Sequence, residues 1–148
     1  GVLARQHPHI WLARSELLNS IFLRFIVPLL TVVVDVNTPR KAAFSVREVL
    51  RLIEDDARHL MIFPEGQRWT DGSVHEFYDG FAVLAKKSGR PVVPVRIFDI
   101  NIVYPPKRFW ITYHPVRVVV GPPMRYQDDD TQETFKKRVY DWFVEQGT

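Results

Sequence analysis

The sequence predicts one α/β domain, with a mixed sheet flanked by helices, over residues 1–148. Three observations predict it. Short apolar runs at Val32–Val34, Leu60–Phe63 and Pro91–Ile97 have the length and composition of strands. Segments of helical period precede each of them, at 12–29, 45–56 and 78–88. Ser45 with Glu48, and Asp130 with Glu133, mark helix starts through the capping-box spacing. Strands alternating with helices give an α/β architecture, and 148 residues suffice for one proper core.

The elements follow in order. Leu17/Leu18, Ile21/Phe22, Phe25/Ile26 and Leu29 form an amphipathic helical stripe that Pro28 should end. That stripe suits core packing, and part of it also suits contact with lipid or an acyl chain. Val32–Val34 reads as a buried strand closed by a turn over Asp35–Arg40. Ser45 opens a helix whose buried face is Val46, Val49/Leu50 and Ile53, with Phe44 and Val49 as hydrophobic staple. Leu60–Phe63 then reads as a buried strand. Tyr78–Ser88 reads as a helix with Phe81, Leu84 and Ala85 inward, Lys86 and Lys87 favouring its C-terminal dipole, and Gly89 at C′. Two prolines place the next strand at a sheet edge, or start it only at Val95. Asn101–Arg108 reads as a Pro-bearing loop, and Trp110–Val120 as one or two strands with Val116, Val118 and Val120 on one face. Asp130 is expected to cap a last helix whose core stripe is Phe135, Val139, Trp142 and Phe143.

Composition removes several functions. With no cysteine there are no disulfides, no thiolate catalysis and no cysteine metal site. A net charge of +3 suits an acidic partner or an anionic membrane surface, but is too small to argue for nucleic acid. The longest apolar run, Phe25–Val34, is broken by Pro28 and Thr31 and is shorter than the ~20 residues a membrane span needs. Any membrane contact is therefore expected to be peripheral. No P-loop or GxGxxG is present, and no metal site or cofactor is expected. His7-Pro8-His9 lacks an acidic neighbour, and Asp128–Asp130 reads as the solvated start of a helix.

The most informative stretch is Phe63-Pro64-Glu65-Gly66-Gln67-Arg68. A strand should break at Pro64, and Gly66 permits backbone angles closed to other residues. The turn gathers a carboxylate, a guanidinium and free N–H groups, and a guanidinium grips phosphate oxygens two at a time. It reads as an anion site. The same spacing also fits an ordinary strand end with a surface ion pair.

Phe63-Pro64-Glu65-Gly66 with Arg68, followed by Val93-Pro94-Val95, resembles the third and fourth sequence blocks of the glycerolipid acyltransferases, among them the 1-acylglycerol-3-phosphate acyltransferases. Tyr78-Asp79-Gly80, Ala85–Gly89 and Pro94–Ile97 are most similar to one branch. That branch is the 2-acylglycerophosphoethanolamine acyltransferase half of the bacterial bifunctional acyl-carrier-protein synthetase. The resemblance implies transfer of a fatty acyl group from an acyl carrier protein or acyl-coenzyme A to a lysophospholipid. It further implies work at the cytoplasmic face of the bacterial inner membrane, held peripherally or through a parent protein. In the turn it implies that Arg68 grips the phosphate, Gly66 lets the backbone approach, and Glu65 orients Arg68 or accepts from a glycerol hydroxyl. Gln67 and Trp69 stand where the family has threonine and serine, and Val36 where its second block ends in arginine. Arg40 or Lys41 would substitute for that arginine from a neighbouring turn.

The family's His-x4-Asp pair, in which histidine deprotonates the acceptor hydroxyl, has no match among the five histidines. His75 and Asp79 come nearest, one residue short, at a spacing that makes them a weak pair if both are helical. The sequence begins near where that pair should have ended, so a fragment truncated at its N-terminus, inactive alone, is expected. Two other classes remain open: a lipid- or acyl-carrier-binding module without catalysis, and a nucleotide- or phosphosugar-binding domain.

Overall fold

A computed structural model describes residues 9–14, 31–34, 46–51, 53–54, 59–67, 69–103 and 112–147. The chain divides into two compact units, residues 1–63 and 64–148. The expected strands therefore fall into two sheets, one in each unit.

The first unit carries β1 (His9–Arg14), β2 (Thr31–Val34) and β3 (His59–Met61) in the order β2-β1-β3, all parallel. The register sets Trp11 against Thr31 and Met61. β1 corrects the expected helix at its start, because 12–14 are strand. The continuous apolar run Ile10–Ala13 suits a central parallel strand better than the amphipathic period that begins at Leu17. The rest of that stripe, the 35–40 turn, and the Ser45 and Phe44 capping positions lie outside the described residues. Helix α1 (residues 46–51 with 53–54) buries Val49 and Ile53 as expected. The strand expected to be buried at 60–63 is not. β3 lies at the sheet edge, with Met61 and Phe63 exposed and Leu60 half-buried.

The second unit holds α2 (Gly80–Ser88), β4 (Val95–Ile97), α3 (Ile100–Val103), β5 (Val118–Val120) and α4 (Gln132–Glu145). β4 starts at Val95, just beyond its prolines, and pairs antiparallel with β5, Val95 opposite Val120 and Ile97 opposite Val118. Val92 adds a bridge to Met124. Between them, a side chain at Gly121 would press on Trp142 and Pro94, 2.5 and 2.8 Å away. Residues 100–103, expected to be partly loop, form a helical turn in which the Asp99 carbonyl accepts from Ile102 and Val103.

The core of this unit is apolar and aromatic. Phe81, Ala82, Leu84 and Ala85 from α2 meet Phe135 and Val139 from α4, all buried. Phe77 packs edge-on against Phe81, Tyr140 and Phe143. Gly89 closes α2 in the left-handed region, as its sequence position predicts. The cap of α4 corrects the sequence reading by one residue. Thr131 accepts from the Thr134 amide at 3.1 Å, and the Thr134 hydroxyl accepts from the Thr131 amide at 2.8 Å. Asp130 instead accepts from the Gln127 amide and pairs with Arg138 at 2.5 Å. No helix among the described residues is long and apolar enough to cross a membrane.

Candidate functional site: the 64–78 loop

Pro64 ends the apolar run, and the chain returns to its own start when the Tyr78 amide donates to the Pro64 carbonyl at 2.8 Å. The loop between them is therefore closed at its base. Gly66 sits at φ +66, and a β-carbon there would lie 2.7 Å from the Tyr78 ring. Both the backbone angle and the space demand glycine. Glu65, half-buried, has one carboxylate oxygen accepting from the His75 amide at 3.3 Å. Burial pushes its carboxyl above the ordinary value. The His75 hydrogen bond and the charges of His75 and Arg96 pull the other way, while Asp71 adds to the rise.

The far side of the loop is built on Asp71. Both its oxygens take the His75 Nε2, at 3.0 and 2.9 Å, and one also accepts from the Ser73 amide. The side-chain hydrogen bond from His75, then that of Ser73, holds the Asp71 carboxyl below its usual range. The imidazole stacks on Trp69, ring centres 3.7 Å apart and 17° from parallel. His75 thus pairs with Asp71, not with Asp79, whose carboxylate takes Lys136 at 2.6 Å. The loop is tied to the unit's helices by Asn101, which donates to the Thr70 carbonyl at 3.1 Å, by Tyr140, which donates to the Val74 carbonyl at 3.4 Å, and by buried Phe77.

Arg96 is a residue that sequence reasoning passed over. It is the buried charged side chain among the described residues, 7% exposed, while its strand neighbours Val95 and Ile97 face outward. Its guanidinium donates to the Phe143 carbonyl in the last turn of α4, a turn with no basic residue of its own. Arg96 and Arg117 both lie over the Phe98 ring, at 4.5 and 3.8 Å. Burial first, then Arg117, depresses the Arg96 guanidinium, and Glu65 opposes them. The signal in the sequence was an inverted strand pattern, a charge between two valine-like positions.

Of the four residues the sequence nominated, Glu65 and Gly66 stand in this loop. Arg68 and Arg40 lie outside the described residues. A surface groove of this unit, about 400 Å³, is lined by Met124, Lys137, Arg138 and Trp142 among others, and its described lining includes no residue of the loop. No group of three or more His, Asp or Glu among the described residues converges as a metal site. What the loop offers chemically is a half-buried carboxylate held by a backbone amide beside a glycine turn.

Residues 1–98 match the model of the family described as Acyltransferase. A 1-acyl-sn-glycerol-3-phosphate acyltransferase of Limnanthes douglasii is 30% identical over 113 residues, which cover 75% of this chain and 40% of that protein. One from Borreliella burgdorferi is 28% identical over 95 residues, covering 64% of this chain and 38% of that protein. The chain thus spans about two fifths of the length of these curated relatives. The crystal structure of the 1-acyl-sn-glycerophosphate (LPA) acyltransferase PlsC from Thermotoga maritima shares the fold, with a TM-score of 0.67 at 22% identity over 94% of this chain and 57% of that one.

Proposed function

The chain belongs to the acyltransferase family, and on that premise we propose that it holds the acceptor of an O-acyl transfer from a fatty acyl thioester to a lysophospholipid. The observation that carries the proposal is the 64–78 loop. Its Glu65–Gly66 turn is closed, glycine-dependent and hydrogen-bonded to His75, and in sequence it leads directly into Arg68. A phosphate is the ligand that a guanidinium, backbone N–H groups and a close-approach glycine recognise together. Arg68 grips that phosphate, Glu65 orients Arg68 or accepts from a glycerol hydroxyl, and the resemblance adds Arg40 as a further candidate.

Two acceptors fit this chemistry. The relatives' names favour 1-acylglycerol-3-phosphate, and the tract from Tyr78 to Ile97 favours 2-acylglycerophosphoethanolamine. The donor is an acyl carrier protein or acyl-coenzyme A, and the net positive charge of the chain suits either. The acceptor is a membrane lipid, so the reaction belongs at a membrane surface, reached peripherally at the cytoplasmic face. Since no histidine here has an aspartate five residues on, this sequence supplies acceptor binding without the family's general base. In binding titrations with both acceptors in short-chain form, Arg68→Ala should weaken the preferred one by roughly tenfold to a hundredfold, the worth of a charge-assisted contact. Equal affinity of wild type and variant would remove the proposal. Turnover of acyl-coenzyme A by this chain alone would remove the missing-base reading.

A further inference from the structure

His75 meets three parts of the 64–78 loop, one through its backbone amide and two through its ring. The His75 amide holds the Glu65 carboxylate at 3.3 Å. Its Nε2 sits between the two oxygens of Asp71, at 3.0 and 2.9 Å. Its ring lies flat on Trp69 at 3.7 Å. In sequence, Glu65 and Trp69 bracket Arg68, so His75 fixes the chain at a point on either side of that arginine. Neither tie is local to the turn: the first spans ten residues and the stack spans six.

We infer that His75 is a positioning residue for the phosphate-binding turn. Its imidazole, clamped by Asp71, holds the Trp69 ring, and its backbone amide, carried on the same residue, holds the Glu65 carboxylate. This rests on the acceptor-phosphate reading of the same loop.

The physical case is one of preorganisation. A binding group on a loop is only as well placed as the contacts that stop the loop from moving, and small displacements cost disproportionately in affinity. Here the loop is largely exposed, so burial cannot do that job. A planar ring can serve two restraints at once, because its face stacks while its edge donates. Of the two carboxylates, Asp71 meets the ring Nε2 and Glu65 meets the backbone amide of His75.

The test is the affinity of the chain for a short-chain 1-acylglycerol-3-phosphate below its micelle concentration, read beside thermal unfolding. His75→Phe keeps the stack and loses the clamp, and should weaken binding about tenfold, what one charge-assisted hydrogen bond amounts to. His75→Gln keeps a donor for Asp71 and should recover most of that loss. Asp71→Ala releases the ring without altering it, so it should weaken binding as His75→Phe does, and it decides the matter if the phenylalanine variant does not fold. Full affinity in folded His75→Phe or Asp71→Ala, with Arg68→Ala still weakened, would overturn the positioning role and leave the phosphate site standing. A wild-type chain that does not bind the probe would remove the site, and the inference with it.

Discussion

The helix pair α2 and α4 and the 64–78 loop belong to one unit and are held together by opposite means. Phe135, Val139, Ala82 and Phe81 are buried, so the helix pair is held by many small contacts that add up over each whole side chain. The loop buries only Phe77 among its described residues. Its shape depends on a few identifiable groups: the Pro64 carbonyl, the Glu65 and Asp71 carboxylates, the His75 ring and the Asn101 amide. The difference separates a scaffold that keeps its geometry through redundancy from a site that keeps it through single contacts. Such a site can open locally while the scaffold stays folded.

The largest effect should come from the scaffold. Phe135→Ala removes a fully enclosed ring and should cost about 3–5 kcal/mol in a urea unfolding measurement. A loss below about 1 kcal/mol would mean that the pair is not the unit's core. In the loop, Gly66→Ala forces a side chain into the left-handed region against Tyr78. Because Tyr78 is 65% exposed and free to swing away, the cost should lie near the low end of the range for such strain, about 1 kcal/mol. Adding Tyr78→Ala should recover the steric part and leave the backbone part. Complete recovery would show that Gly66 is required for space alone.

The same contrast explains what the sequence revealed. The stripe Phe135–Val139 was legible because burial on a helix face imposes a period, and α2 was legible for the same reason. The turn was legible because Pro64 and Gly66 announce backbone constraints in their own chemistry. The cap of α4 was displaced by one residue because Asp130/Glu133 and Thr131/Thr134 carry the same spacing in overlapping frames. Only geometry shows that Asp130 is already committed to Arg138. The clamp was missed because histidine was read forwards, toward a following aspartate, while its partner Asp71 precedes it. Arg96 was missed because a strand of valines hides an inverted face.

A smaller effect tests whether polar contacts in the scaffold behave like those in the loop. Thr131→Ala should lose about 1 kcal/mol of stability, the ordinary worth of an N-cap. Binding of the lysophospholipid probe should not change, since the cap belongs to the scaffold. If affinity fell with stability, the division between the two regions would not hold.

The finest comparison lies within the loop, between its two carboxylates. Burial raises the Glu65 carboxyl, while hydrogen bonds from His75 and Ser73 lower that of Asp71. For Glu65, folding disfavours the ionised form. Its contribution to stability is full below the unfolded value and is lost as pH rises through the folded one. For Asp71 the sign reverses: its contribution is present above the unfolded value and is lost as pH falls through the folded one. Urea midpoints from pH 3 to pH 7 should therefore diverge in opposite directions for two variants. Glu65→Gln should gain on the wild type as pH rises through the carboxylate range, and Asp71→Asn should fall behind it. Both shifts should be small, because Asp71 is exposed and Glu65 only half-buried. The sign is what matters. A glutamate whose ionisation folding disfavours, beside an aspartate whose ionisation folding favours, is what a binding carboxylate and its structural neighbour should look like. Parallel pH profiles for the two variants would make both carboxylates structural and leave Glu65 no distinct role.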